Sequence, residues 1–275
     1  MNMIVQEYYN DFKKKLVLDY INNNPRVESS ILEMLRKAPV NAQNILDIGC
    51  GIGWSSYAMH TNFPDKQISA IDLSKVLIET ANILFRNPST EFVQADVTDA
   101  DFFTNTSFDY VVMIDVFEHI PSSERISFIN HLNRITKNNC RFYFSCPTVY
   151  HQNFLKVNNP SGLQPIDEEI DLNVMIDFAK KINGEITFYN FVSIWNTNDY
   201  FHCVIDKKVE FEPNHKKSFN YQVESRDQRI ERVLNTKIKD IFSAEEINLF
   251  LKKPINQQSG SLKRAYYRFF KSKEV

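Results

Sequence analysis

From residue 44 onward, short apolar runs alternate with stretches of helical spacing, and this alternation predicts an architecture. Ile45, Leu46 and Ile48 form the first run, and a helical stretch over 54–61 follows at once. Residues 67–72, 91–95, 108–114 and 140–146 read as the next strands, with helices over 75–85 and 122–136 between them. The 108–114 run is almost continuously apolar, the pattern of a central parallel strand covered on both faces. Strands separated by helices predict an α/β fold whose parallel sheet carries helices on both sides. Ser74 is placed to cap the helix from residue 75, and Ser122 or Ser123 the one after the fourth strand.

On either side of that core the pattern changes. Residues 6–12 and 28–36 have helical spacing and are separated by the breaker Asn22-Asn23-Asn24-Pro25. After Pro147, residues 148–164 are polar and aromatic and read as a loop, followed by a helix over 168–181. Two β-rich runs, 185–195 and 199–206, are joined by Asn196-Thr197-Asn198 and predict a hairpin. Further on come a charged, heptad-like helix over 224–242 and a helix start at Ser243-Ala244-Glu245-Glu246. An aromatic and basic stretch over 262–271 closes the chain. The expected organisation is an N-terminal helical part over 1–43, a core over 44–207 and a helical extension over 208–275.

Composition narrows the class. The 275 residues are 43% hydrophobic and 24% charged, ordinary for a globular protein with a sizeable core. No apolar run reaches membrane-spanning length, and residues 1–11 lack the form of a signal peptide, so a cytoplasmic location is expected. The net charge of −2 hides an asymmetry: residues 1–207 carry 17 Lys+Arg against 25 Asp+Glu, residues 208–275 carry 15 against 9. An acidic body without a nucleic-acid footprint is followed by a basic tail. Residues 262–271 suit contact with an anionic membrane, with a protein partner or with the acidic body itself. The four cysteines show neither Cys-x-x-Cys pairing nor metal-ligand spacing, so buried, reduced thiols and no metal site are expected.

The candidate chemistry starts where the first strand ends. Of six glycines in the chain, Gly49, Gly51 and Gly53 fall within five residues, between the strand and the helix that follows. Such a turn points backbone N–H groups outward, and glycine lets a ligand approach them closely. The dinucleotide spacing Gly-x-Gly-x-x-Gly would need a third glycine where Trp54 stands. The pattern is instead Asp47-x-Gly49-x-Gly51-x-Gly53, which resembles motif I of class I S-adenosylmethionine-dependent methyltransferases. Phe117-Glu118-His119-Ile120-Pro121 after the fourth strand is similar to the signature of small-molecule members, especially the Glu-His pair of coclaurine-type N-methyltransferases. The resemblance covers roughly residues 40–207. It implies a Rossmann-like, doubly wound, mostly parallel seven-stranded sheet with an antiparallel last strand, N-terminal lid helices and a helical C-terminal extension.

The resemblance also implies a site. S-adenosyl-L-methionine is expected along Asp47, Gly49, Cys50, Gly51 and Gly53. Asp72, followed by Leu73, stands where an acid can accept both ribose hydroxyls. Asp96 and the Val97 N–H are expected at the adenine, Asp115 borders the cofactor, and Tyr8 or Tyr9 contacts it from the lid. A hydroxyl or ammonium acceptor must lose a proton, and His119 is the best base by type and position. Glu118 would orient His119 or bind a substrate cation. His151 is a weaker candidate base, and His202 is expected inside the last strand. The Asn-Pro-Pro-Tyr signature of nucleobase methylation is absent, and aromatic residues over 148–200 suggest a pocket for a small organic acceptor. The expected activity is methyl transfer to O or N of a small metabolite, of secondary or sugar-related type. The rivals are a catalytically silent methyltransferase-like binding subunit and an NAD(P)-dependent enzyme.

Overall fold

The computed structural model describes residues 12–97, 107–164, 166–209 and 221–252. These form two compact units, one running through Ile238 and a second from Lys239. The first holds a seven-stranded sheet: β1 (Asn44–Ile48), β2 (Gln67–Asp72), β3 (Thr90–Gln94), β4 (Phe108–Ile114), β5 (Thr136–Pro147), β6 (Glu185–Val192) and β7 (Tyr200–Asp206). The spatial order is β3-β2-β1-β4-β5-β7-β6. β1 to β5 pair in parallel and β7 runs antiparallel to both β5 and β6. The expected fold class and closing hairpin are therefore present.

β1 and β4 sit side by side at the centre, Ile45 opposite Tyr110 and Ile48 opposite Met113. Both are buried along nearly their whole length, because helices cover both sheet faces. The strand order reverses at this pair, so their C-terminal ends open a crevice suited to a ligand. Beneath it lies a core of stacked apolar side chains, among them Leu46, Val111, Phe117, Phe144, Phe178 and Phe201. The one acid near the start of β4, Asp109, accepts from the N–H groups of Gln43 and Asn44 and pairs with Lys137 at 2.8 Å. These partners draw its pKa below the usual carboxylate range against the opposing effect of burial.

Helices α1 (Lys13–Ile21) and α2 (Pro25–Lys37) precede the sheet. Asn24 caps α2 by accepting from the Arg26 N–H, and Pro25 takes the first turn, where its missing N–H costs nothing. The apolar face Ile31, Met34 and Leu35 is buried. The Tyr110 and Tyr143 hydroxyls donate to the carbonyls of Met34 and Ser30, pinning the helix to β4 and β5. Helices α3 (Trp54–Asn62) and α4 (Lys75–Phe85), with Ser74 accepting from the Leu77 N–H, cover the first strands.

Four expectations need correction. The helix after β4 is α5, Arg125–Ile135; residues 122–124 form the preceding turn, and Glu124 at the cap makes no side-chain bond. Residues 148–164 are mostly not loop: Thr148 accepts from the His151 N–H and starts helix α6, Val149–Asn158. Its apolar residues Tyr150, Phe154 and Val157 face outward, so it lacks the buried stripe that marks a helix in sequence. The next helix, α7 (Leu172–Lys181), begins later than expected, capped by Asp171. Residues 224–242 break after α8 (Arg226–Leu234), where the Thr236 hydroxyl turns back to the Val233 carbonyl.

Helix α8 belongs to the first unit. Its Arg229 is buried, lies over the rings of Trp54 and Tyr20, and donates to the Asn23 side chain. Arg232 bonds Glu224 and the Tyr57 hydroxyl, and the Tyr20 hydroxyl donates to Glu224. In the second unit, helix α9 (Ala244–Leu251) has the expected start, a capping box between Ser243 and Glu246. All four cysteines are buried and unbridged. No described helix is long and apolar enough to cross a membrane. Tyr8, Tyr9 and the basic aromatic stretch 262–271 lie outside the described residues.

Candidate active site

The loop after β1 is shaped by three left-handed glycines, with φ of 68°, 57° and 88° at Gly49, Gly51 and Gly53. A Cβ on Gly49 would overlap Val116, and one on Gly53 would come 2.7 Å from the Phe92 ring. Those two serve packing. At Gly51 the nearest atom to such a Cβ among the described residues is Leu16 Cδ1 of α1, 3.6 Å away, an ordinary contact, so this glycine is not required by packing.

The acids of the loop divide by direction. Asp47 is buried and accepts from the hydroxyls of Ser55 (2.6 Å) and Ser56, tying the first turn of α3 to β1 from inside. Burial lifts its pKa to about 6. Asp72, at the end of β2, accepts from the N–H groups of Gly51 (2.9 Å) and Ser74 (2.8 Å), and burial likewise lifts its pKa to about 6. Cys50 turns its thiol inward while its N–H donates to the Ile71 carbonyl. The Leu73 carbonyl accepts from the Gln94 amide, and Asp96 and Val97 follow the end of β3. The glycine loop, Asp72 and the end of β3 thus line one side of the crevice.

The other side is built around the end of β4. Asp115 has φ of 55°, donates its N–H to the Ser145 carbonyl and forms an ion pair with Arg26 from the first turn of α2. Arg26 also bonds the Tyr200 hydroxyl and lies 5.7 Å from that ring's centre. Phe117–His119 make a single 3₁₀ turn. Glu118 is buried beside the Cys146 thiol, and desolvation raises its pKa to about 8. His119 Nδ1 lies 2.6 Å from the Ile166 carbonyl, and its Nε2 is 3.9 Å from Glu118 Oε1. Burial lowers the His119 pKa below the usual imidazole value.

His151 stands on α6 with its ring 5.5 Å from Tyr200, and burial lowers its pKa too. Gln152, one residue on, is buried and donates to Asp167 at 2.6 Å and to the Glu168 carbonyl. His202 lies within β7, opposite Ser145, as expected. Among the described residues no group of three or more His, Cys, Asp or Glu is arranged to hold a metal.

The structure therefore brings Gly51 to Asp72 directly, and gathers Asp115, Glu118 and His119 with three groups that sequence reasoning missed: Arg26, Gln152 and Asp167. Arg26 had a signal. A cation in the first turn of a helix opposes the helix dipole, so it needs a nearby acid. Gln152 and Asp167 had none, since Gln152 fell in a stretch that read as loop and Asp167 just before the helix expected from residue 168.

Residues 45–139 match the family model described as a methyltransferase domain. Malonyl-[acyl-carrier protein] O-methyltransferase of Paenibacillus sp. is 29% identical over 145 residues, 50% of this chain and 52% of that protein. Trans-aconitate 2-methyltransferase of Paracidovorax citrulli is 36% identical over 66 residues, 24% and 25% of the two chains. The chain thus spans about half or less of these two relatives. Magnesium protoporphyrin IX methyltransferase of Synechocystis PCC 6803, solved with bound SAH, superposes with a TM-score of 0.57 at 17% identity, over 74% of this chain and 99% of that one. Residues 45–139 are similar in sequence to methyltransferase domains, and the sheet they help to build has the class I methyltransferase fold.

Proposed function

We propose that this chain is an S-adenosylmethionine-dependent methyltransferase that methylates O or N of a small organic acceptor, with His119 removing the acceptor's proton. One juxtaposition carries the reading. The Gly51 backbone, beside Asp72, and the pocket of Asp115, Glu118 and His119 flank the same crevice at the paired ends of β1 and β4.

The residues present fit the cofactor. Among the described residues a Cβ on Gly51 would meet only Leu16 Cδ1, and each Asp72 oxygen, accepting one N–H, keeps a lone pair for a ribose hydroxyl. When bound, S-adenosylmethionine supplies a methyl group on a positively charged sulfonium. The chain's own work is to hold the acceptor in line and take its proton, and positioning alone is worth several kcal/mol. The Ile166 carbonyl can only accept, so His119 Nδ1 carries the ring proton and Nε2 presents a lone pair. Its lowered pKa leaves the ring neutral near pH 7, ready to act as base.

Trp54 in place of a third glycine favours S-adenosylmethionine over a dinucleotide. Calorimetric titration with S-adenosylhomocysteine and with NAD⁺ tests this. Binding of the first alone is expected; binding of NAD⁺ alone would overturn the assignment. A silent binding subunit would bind S-adenosylhomocysteine yet show no turnover of labelled S-adenosylmethionine with any acceptor.

A further inference from the structure

A base at His119 Nε2 needs its ring proton on Nδ1, and a neutral histidine in water prefers the opposite tautomer. The fold must therefore impose the useful form, through the partner it gives to Nδ1. That partner is the Ile166 carbonyl at 2.6 Å, whereas Glu118 Oε1 stands 3.9 Å from Nε2, beyond hydrogen-bonding distance. The tautomer is thus only as secure as the peptide group that joins Ile166 to Asp167. This group lies in a stretch with neither helix nor strand, ahead of α7.

Residues 166–168 are fastened from two sides. On the side of His119, the Glu168 N–H donates to the Glu118 carbonyl at 2.9 Å. The Glu168 carboxylate accepts from the Ser122 N–H and lies 3.0 Å from Arg125 Nη2. On the side of α6, Gln152 Nε2 donates to Asp167 Oδ1 at 2.6 Å and to the Glu168 carbonyl at 3.1 Å. A carboxylate and a carbonyl can only accept, which fixes the way the amide faces.

Gln152 is 1% exposed and is the one buried residue of α6, whose apolar side chains Tyr150, Phe154 and Val157 face outward. Burying a glutamine costs hydration and rotamer freedom, and among the described residues its Oε1 finds no partner. The compensation is its hold on Asp167 and Glu168, immediately after the Ile166 carbonyl.

We infer that Gln152 is a positioning residue for the proposed base. By gripping Asp167 and Glu168 it keeps the Ile166 carbonyl against His119 Nδ1, and so keeps the lone pair on Nε2. The inference rests on the methyltransferase reading for the use made of that lone pair, while the tautomer itself follows from the contacts. Asp167 also acts on His119 as a charge, opposed by Arg26 of α2, so a test must separate charge from bond. Asp167→Asn keeps an acceptor oxygen for Gln152 and removes the charge, whereas Asp167→Ala removes both.

The full chain, carrying isotopically labelled histidine, is read by long-range proton–nitrogen NMR above neutral pH, where the lowered pKa keeps the His119 ring neutral. The His119 signals are those absent from His119→Gln. The Nδ1–H form is expected to exceed the Nε2–H form at least about tenfold in wild type and in Asp167→Asn. In Gln152→Leu and Asp167→Ala the excess should fall to about threefold or less, a change the loss of one hydrogen bond supplies. Should Gln152→Leu not fold, the contrast between the two Asp167 variants decides. A wild-type ring protonated on Nε2, a ratio indifferent to Gln152→Leu and Asp167→Ala, or Asp167→Asn behaving like Asp167→Ala overturns the inference. A lowered melting temperature with the ratio unchanged likewise overturns it, leaving Gln152 a merely structural residue. Failure to bind S-adenosylhomocysteine defeats the methyltransferase reading and leaves the tautomer result standing.

Discussion

The backbone N–H of Gly51 donates to Oδ2 of Asp72 across 2.9 Å, so the glycine loop and the end of β2 behave as one part. Asp72→Ala leaves the N–H groups of Gly51 and Ser74 without their acceptor and removes the candidate ribose contact. S-adenosylhomocysteine affinity is expected to fall by about 1.5–3 kcal/mol, the range for losing bonds to a charged group. Calorimetry measures this, and unchanged affinity would take Asp72 out of the site.

Gly51 and Gly49 should fail differently. Gly51→Ala places a methyl 3.6 Å from Leu16, an ordinary van der Waals contact, so the cost to the fold is the left-handed backbone strain of about 1–2 kcal/mol. Its S-adenosylhomocysteine binding is expected to drop at least about tenfold, because the proposed cofactor site lies against that backbone. Gly49→Ala instead drives a methyl into Val116 and should lower the melting temperature more than Gly51→Ala does. Parallel thermal melts and titrations separate the two.

His119→Gln is expected to reduce turnover about 10²–10⁴-fold while S-adenosylhomocysteine affinity changes by no more than a few-fold. The cofactor side of the crevice is built from other strands, so affinity should be spared. Because burial lowers the His119 pKa, the wild-type rate should hold as pH falls through the ordinary imidazole range, and drop only below it. Partial recovery of the variant at high pH would mark the base role. A wild-type rate across the pH range would move that role to His151.

Glu118 gives a stability test. Its pKa is raised from 4.5 to about 8 in the folded chain, so the folded state binds its proton more tightly than the unfolded state does. The stability this contributes is complete below pH 4.5 and is lost as pH rises toward 8. Glu118→Gln has no proton to lose there. The variant should therefore gain on wild type between those limits, by on the order of 3 kcal/mol, and run parallel to it at lower pH. Urea unfolding at three pH values is sufficient, and a constant difference would contradict the raised pKa.

Most of the sheet was legible in sequence because a parallel sheet covered on both faces needs continuous apolar strands, and 108–114 could hardly be anything else. The glycine loop was legible because left-handed turns concentrate a residue that is scarce elsewhere in the chain. Helix α6 was hidden for the opposite reason: Tyr150, Phe154 and Val157 put its apolar face on the surface, and its single buried residue, Gln152, is polar. With α6 misread, Gln152 could not be placed beside Asp167. Arg26 was hidden by distance, since its acid, Asp115, lies on the far side of four strands in sequence.

Arg229 against Trp54 also sets an order of assembly. The sheet is complete once residue 206 is available, whereas α1 is fastened by contacts that span most of the chain, Tyr20 to Glu224 and Asn23 to Arg229. Contacts so remote in sequence are slow to form and come late, because a long loop must close before they are gained. During synthesis, then, the first described helix to leave the ribosome waits for one of the last before it can settle over Gly51. Until α8 arrives, the nascent protein holds a finished sheet and a glycine loop still uncovered by α1.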